Sequence, residues 1–205
     1  MSRRSTPDST VRGARIVDLV PSIIASCIAS IAMALMLGSR EPPPFKRMAD
    51  GKAWTTRNLD VDVAPSYCYD DADANCRQYG RLYTWESAQR ACQALGDGWR
   101  LPTNDEWRRL ATAYGGLRED TADQGRAAYA ALIAGGRSGF DAVFGGGRTP
   151  DGQYARGDAH GFYWTASETG PATAWFYNLG REGQSVNRHG GGEKLRAFAV
   201  RCVDE

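Results

Sequence analysis

Five cysteines, two histidines and scattered carboxylates are the side chains of this sequence with the reactivity to catalyse or to hold a metal. Cys27 lies in an uncharged apolar run. The other four, Cys68, Cys76, Cys92 and Cys202, are an even set with three possible disulfide pairings, or else four reduced, buried thiols. Linking Cys68 to Cys76 would close a short loop within a polar segment that has little else to order it. His160 and His189 are isolated among glycines with no CxxC motif nearby, so they read as solvated loop residues and not as zinc ligands. Asp70, Asp71 and Asp73 have the alternating spacing of calcium ligands, but the glycine and distal glutamate of an EF-hand loop are missing. Ser167 and Glu168 have no histidine at a nucleophile–base spacing. The GGGR string at 145–148 leads into neither a lysine nor a helix start, which a phosphate cradle requires. Both read as turns, and no catalysis, metal or other cofactor is expected.

The segments that hold these residues begin with an apolar one. Residues 19–38, LVPSIIASCIASIAMALMLG, carry no charge, and at about 1.5 Å per residue they match a bilayer core of roughly 30 Å. They read as a transmembrane helix; a cleaved secretory signal or a lipoprotein-type box ending at Cys27 are the alternatives. Basic residues flank the run on both sides, so the positive-inside rule barely discriminates, and the even cysteine set argues for an oxidising compartment. The expected layout is a cytoplasmic N-terminus over 1–18, the anchor over 19–38, a stiff proline-rich stalk over 39–49 and one folded domain over 50–205. Lys and Arg total 25 against 24 Asp and Glu, which gives no net field toward nucleic acid.

Within the domain, DGKAWTTRNL at 50–59 reads as a turn and a strand with Trp54 inward, 67–76 as a polar loop, and 80–84 as a strand. Trp85, Ala88, Cys92 and Leu95 recur at helical spacing. Thr103, Asn104, Asp105 and Glu106 form a capping box opening a second helix at Asn104, with Trp107, Leu110, Ala111 and Tyr114 inward and Gly115 and Gly116 ending it. A weaker helix is expected over 122–134. Segments 161–166, 172–179 and 195–203 read as antiparallel strands. Helices followed by strands make an α+β fold, two main helices on short antiparallel strands, with Trp54, Trp85, Trp99, Trp107 and Trp164 in its core.

In order, DGKAWTTRNL, SYCYDDADANC, YGRLYTWESAQRAC, GWRLPTNDEWRRL, FYWTASE, AWFYNL and FAVRC resemble the Fibrobacter succinogenes major paralogous domain family over residues 50–203. Three of these segments are also similar to the C-terminal domains of Legionella collagen-like adhesins. The resemblance implies a C-type-lectin-like fold, as in formylglycine-generating enzymes and the variable proteins of diversity-generating retroelements. It implies a disulfide from the first helix to the last strand, Cys92 to Cys202, leaving Cys68 with Cys76. The EPN, QPD and WND tripeptides of calcium-dependent sugar binders are missing, so no such site is expected. A formylglycine-generating-type oxidase needs reactive cysteines, and here all four are placed for disulfides.

The function expected is therefore a membrane-anchored binding or adhesion module outside the cytoplasm, on the membrane through its N-terminal helix, with a glycan, peptide or protein ligand. The alternatives are a structural envelope or surface-assembly component and a formylglycine-generating-enzyme-like catalyst. GREGQSVNRHGGGEK at 180–194 reads as a mobile loop offering Arg181, Gln184, Asn187, Arg188 and His189. In the preceding strand Trp175, Tyr177 and Leu179 share one face by period two, which leaves Phe176 and Asn178 beside the loop. The resemblance to diversified C-type-lectin-like proteins implies that Asn178 and the loop residues form the contact surface, with Phe176 as an apolar anchor.

Overall fold

The structure, a computed structural model, describes residues 43–205. The expected anchor at 19–38 lies outside the described residues, and among those described no helix is long and apolar enough to cross a membrane. The fold is α+β, with short antiparallel strands and four α-helices among the described residues. Strand β1 (Phe45–Arg47) pairs with β2 (Ala53–Thr55), which pairs in turn with the last strand, β10 (Val203–Asp204). The two ends of the described chain thus share one sheet.

Residues 45–47, within the stalk expected over 39–49, are thus an edge strand. Phe45, Lys46 and Arg47 are all exposed, so the segment has no buried stripe to betray it. It is nonetheless a sheet edge of the kind that basic residues protect. The Pro44 carbonyl accepts from Thr56 N at 2.8 Å, and Met48 is buried.

The segment expected as a polar loop also differs. After β3 (Ser66–Tyr67), residues 69–71 form a 3-10 turn and Asp73–Tyr79 form helix α1. Cys68 and Cys76 are bonded across it, Asn75 Nδ2 donates to the Tyr69 carbonyl at 2.8 Å, and Asp73 lies in the first turn, where the helix dipole favours an anion. Polar composition concealed a helix held by a cross-link and not by an apolar face.

Strand β4 (Leu82–Tyr83) leads into α2 (Trp85–Gln93), whose Trp85, Ala88 and Cys92 are buried as their spacing predicts. Cys92 bonds to Cys202, 110 residues away. Helix α3 (Asn104–Ala113) opens on the predicted capping box. Glu106 N donates to Thr103 Oγ1 at 3.2 Å, and Thr103 N donates to Glu106 Oε2 at 2.8 Å. Burial alone would raise the Glu106 carboxyl. The Arg100 guanidinium, donating to both its oxygens at 2.7 and 2.6 Å, and the Thr103 N–H outweigh that and hold it at about 2. Helix α4 (Arg126–Leu132) occupies part of the weaker helix expected over 122–134.

Trp107 on α3 is the hub of one core. Its ring stacks on Tyr177 at 5.0 Å and meets Trp54, Phe140 and Tyr163 at 5.3, 5.5 and 5.4 Å. A second core joins Trp85, Ala88, Cys92 and Cys202 to Trp164 and Phe198, whose rings lie 4.6 Å apart. Trp99, expected inside, is only partly buried, because its ring partner at 5.5 Å is Phe45 on the edge strand.

The stretch 195–203 is not one strand. Only Val203 joins a strand; before it, Ala197, Phe198 and Ala199 make single bridges to Arg148, Tyr83 and Tyr163. The segment threads between three neighbours and buries Arg201 completely. Arg201 donates to Asn58 Oδ1 at 2.7 Å and to the carbonyls of Thr55, Phe140 and Asp141.

Candidate ligand-binding face

The candidate contact residues lie on the largest sheet. Strand β7 (His160–Gly170) pairs with β8 (Thr173–Gly180), and β8 with β9 (Ser185–Glu193), all antiparallel. Residues 180–194, expected to be a mobile loop, are mostly this third strand; only Arg181 to Gln184 turn the chain. Glycine here serves close packing. A Cβ on Gly192 would come within 2.7 Å of the Phe176 and Trp164 rings and 2.9 Å of the Ala174 carbonyl, whereas one on Gly191 would meet nothing within 4 Å. The strand's alternation is masked because three successive positions, Gly190, Gly191 and Gly192, carry no side chain.

Register decides what shares a face. Across the sheet Phe162 is opposite Asn178, which is opposite Asn187; Trp164 is opposite Phe176, which is opposite His189. Directly opposed residues point to the same side. Tyr163, Tyr177 and Arg188 form the alternate row, with Tyr177 in the Trp107 core. The expected division within β8 therefore holds: Tyr177 and Leu179 are in that core, while Phe176 and Asn178 lie on the other side.

The structure brings Phe176, Asn178, Asn187 and His189 together. The His189 ring stacks on Phe176 at 4.9 Å, and burial lowers its imidazole below the ordinary value, with Glu119 pulling the other way. Asn178 Nδ2 contacts His160 Nδ1 at 2.9 Å. Both histidines are thus on strands of this sheet, not in loops. Three expected contact residues belong elsewhere. Arg188 Nε lies 3.2 Å from Glu119 and its guanidinium 4.9 Å from the centre of the Trp175 ring, on the alternate row; Arg181 covers Phe144 at 4.7 Å; Gln184 is an exposed turn residue with φ of 45°.

Two clefts open on this face. One, of about 350 Å³, has Phe162, Phe176 and Phe198 in its lining with Arg148, Arg156 and Arg196. The other, of about 440 Å³, is lined by His160, Asn178, Ser185, Asn187 and His189, among others, and shares Arg156 with the first. Arg156, Arg196, Phe162 and Phe198 escaped the sequence reading, and Arg148 was read there only as part of a turn. Arg148 sits in the GGGR string, whose turn leads into β5 (Gly147–Arg148), paired with β6 (Tyr154–Ala155); Arg156 follows directly. Only tertiary pairing gathers them, so no local spacing announced them. The framework that positions the face is closed covalently by Cys68–Cys76 and Cys92–Cys202, which leaves no free thiol among the described residues.

The family model described as the Fibrobacter succinogenes major domain matches residues 44–204. The chain belongs to that family. No curated protein and no solved structure matches it significantly. The Fibrobacter succinogenes major domain match begins just before β1, in agreement with a folded unit that starts ahead of residue 50.

Proposed function

We propose that the chain is a membrane-anchored, non-enzymatic binding or adhesion module of C-type-lectin-like fold, displayed in the periplasm or outside the cell. The observation that carries this reading is the in-register sheet face on which Phe162, Asn178, Asn187, Phe176 and His189 stand together above two adjoining clefts. Such a surface, aromatic and polar at once on a cross-linked scaffold, suits recognition. Two disulfides support an oxidising compartment, and the uncharged run at 19–38 supports the anchor. The bridge from α2 to the segment before β10 is the one the C-type-lectin-like likeness implies. The bonding of both cysteine pairs supports the non-enzymatic reading over thiol-based oxidase chemistry, which needs reactive cysteines.

Detergent-solubilised full chain applied to glycan, peptide and cell-envelope arrays tests the proposal. Bound features should lose at least about tenfold in signal, about 1.4 kcal/mol, when Phe176→Ser, Asn187→Ala and His189→Ala are combined. Binding undiminished in a folded triple variant would move the site off this face.

A further inference from the structure

We propose that the two clefts together bind an acidic saccharide, with a carboxylate-bearing sugar in the first and the hydroxyls of its neighbour in the second. The inference rests on the sheet face being a binding site and names what it takes.

The first cleft combines features that no simple ligand satisfies. Its aromatic floor is continuous, with Phe162 and Phe176 lying 5.1 and 4.9 Å from Phe198, and no carboxylate is among its lining residues. Arg148 Nε is buried with no acceptor, while the guanidinium sits over the Tyr67 ring at 4.0 Å. Arg196 has only a loose contact with Glu193, at 3.7 Å, and Arg156 Nη1 meets His160 Nε2 at 3.2 Å. An inorganic anion would answer the cations and leave the rings wet; an apolar group would cover the rings and leave the cations unanswered. A uronic acid does both, since its C–H face packs on aromatic rings and its carboxylate accepts from a guanidinium in the bidentate manner.

The second cleft continues from Arg156 with amide, imidazole and hydroxyl groups on Asn178, Asn187, His160, His189 and Ser185, and Arg118 and Glu182 add one charge of each sign to its lining. Mixed donors and acceptors of this kind match sugar hydroxyls. A peptide strand is disfavoured by the topology. The central strand β8, from which Phe176 and Asn178 project into the clefts, has its backbone groups already paired with β7 and β9, so it offers side chains alone, and strand addition would have to use the β9 edge and not the cleft floor. A larger cavity of about 650 Å³ includes Arg201 in its lining, but each Arg201 nitrogen already donates to a protein acceptor.

Isothermal titration of the full chain in detergent with trigalacturonate, its methyl ester and benzoate tests the inference. Trigalacturonate should bind saturably with a Kd of about 1 mM or tighter, and the ester and benzoate at least about tenfold more weakly. Arg156→Ala with Arg196→Ala should cost at least about tenfold, and Arg108→Ala on α3 should change nothing. Equal binding of the ester or of benzoate, no saturable binding of trigalacturonate, or indifference to the double arginine variant would each overturn it. Should arrays instead yield a neutral glycan or peptide whose capture needs Phe176, the binding reading stands and the acidic saccharide falls. If the face variants change no captured ligand, both fall.

Discussion

The Trp107 core and the open face of the β7–β8–β9 sheet share strands β7 and β8 but use them in opposite ways. On one side Tyr163 and Tyr177 are fully buried against Trp107. On the other, Trp164 is fully buried in the second core, while Phe162 and Phe176, packed against it, are only partly covered, beside Asn187 and His189. Successive residues of one strand therefore belong to a region that sets stability and to a region that remains available. The difference teaches that a period-two strand can carry a fixed scaffold and a replaceable surface in the same few residues.

Substitutions sharpen that contrast. Trp107→Ala, which empties a site touching four other aromatic rings, should destabilise by about 3 to 5 kcal/mol in denaturant unfolding. Cys202→Ser opens a closure spanning 110 residues and should cost about 2 to 5 kcal/mol under non-reducing conditions. Opening the short Cys68–Cys76 loop should cost less, about 2.5 kcal/mol in the chain-entropy treatment. If the two disulfides proved equal, the long closure would not be the principal staple.

Acid provides a third probe of the framework. Because Glu106 is held at about 2 against an ordinary 4.5, its contribution is complete above pH 4.5 and is lost as pH falls from there through 2. The loss is about 3 kcal/mol, and Glu106→Gln should remove that part of the acid dependence from urea unfolding curves. A smaller effect, about 1 kcal/mol, is expected for Thr103→Ala, which removes the cap of α3.

The contrast also separates what was legible in the sequence from what was not. The capping box at Thr103 to Glu106 and the inward Trp107, Leu110, Ala111 and Tyr114 could be read because a helix's start and its buried stripe are both local patterns. The pairing of Cys92 with Cys202 came with the family resemblance. Of the face, Phe176 and Asn178 were legible from alternation in AWFYNL. Strand β9 was not, since Gly190, Gly191 and Gly192 erase the alternation that reveals a strand, and Arg188, read as a loop residue, stands in it on the Tyr177 row. Arg148, Arg156 and Arg196 come from separate segments and converge only through the β5–β6 pairing and the threaded stretch before β10. Helix α1 stayed hidden because a disulfide, not an apolar stripe, holds it.

The separation of scaffold from surface is tested most directly by thermal and urea unfolding of the full chain carrying Arg156→Ala, Asn187→Ala, His189→Ala and Gly191→Ser together, beside a single Gly192→Ser variant. The fourfold variant should stay within about 2 kcal/mol of the parent, at about 0.5 kcal/mol or less per surface site. Gly192→Ser, whose Cβ would stand 2.7 Å from the Phe176 and Trp164 rings, should lose about 1 to 3 kcal/mol by itself. A fourfold variant as unstable as Trp107→Ala, or a Gly192→Ser variant as stable as the parent, would contradict the account.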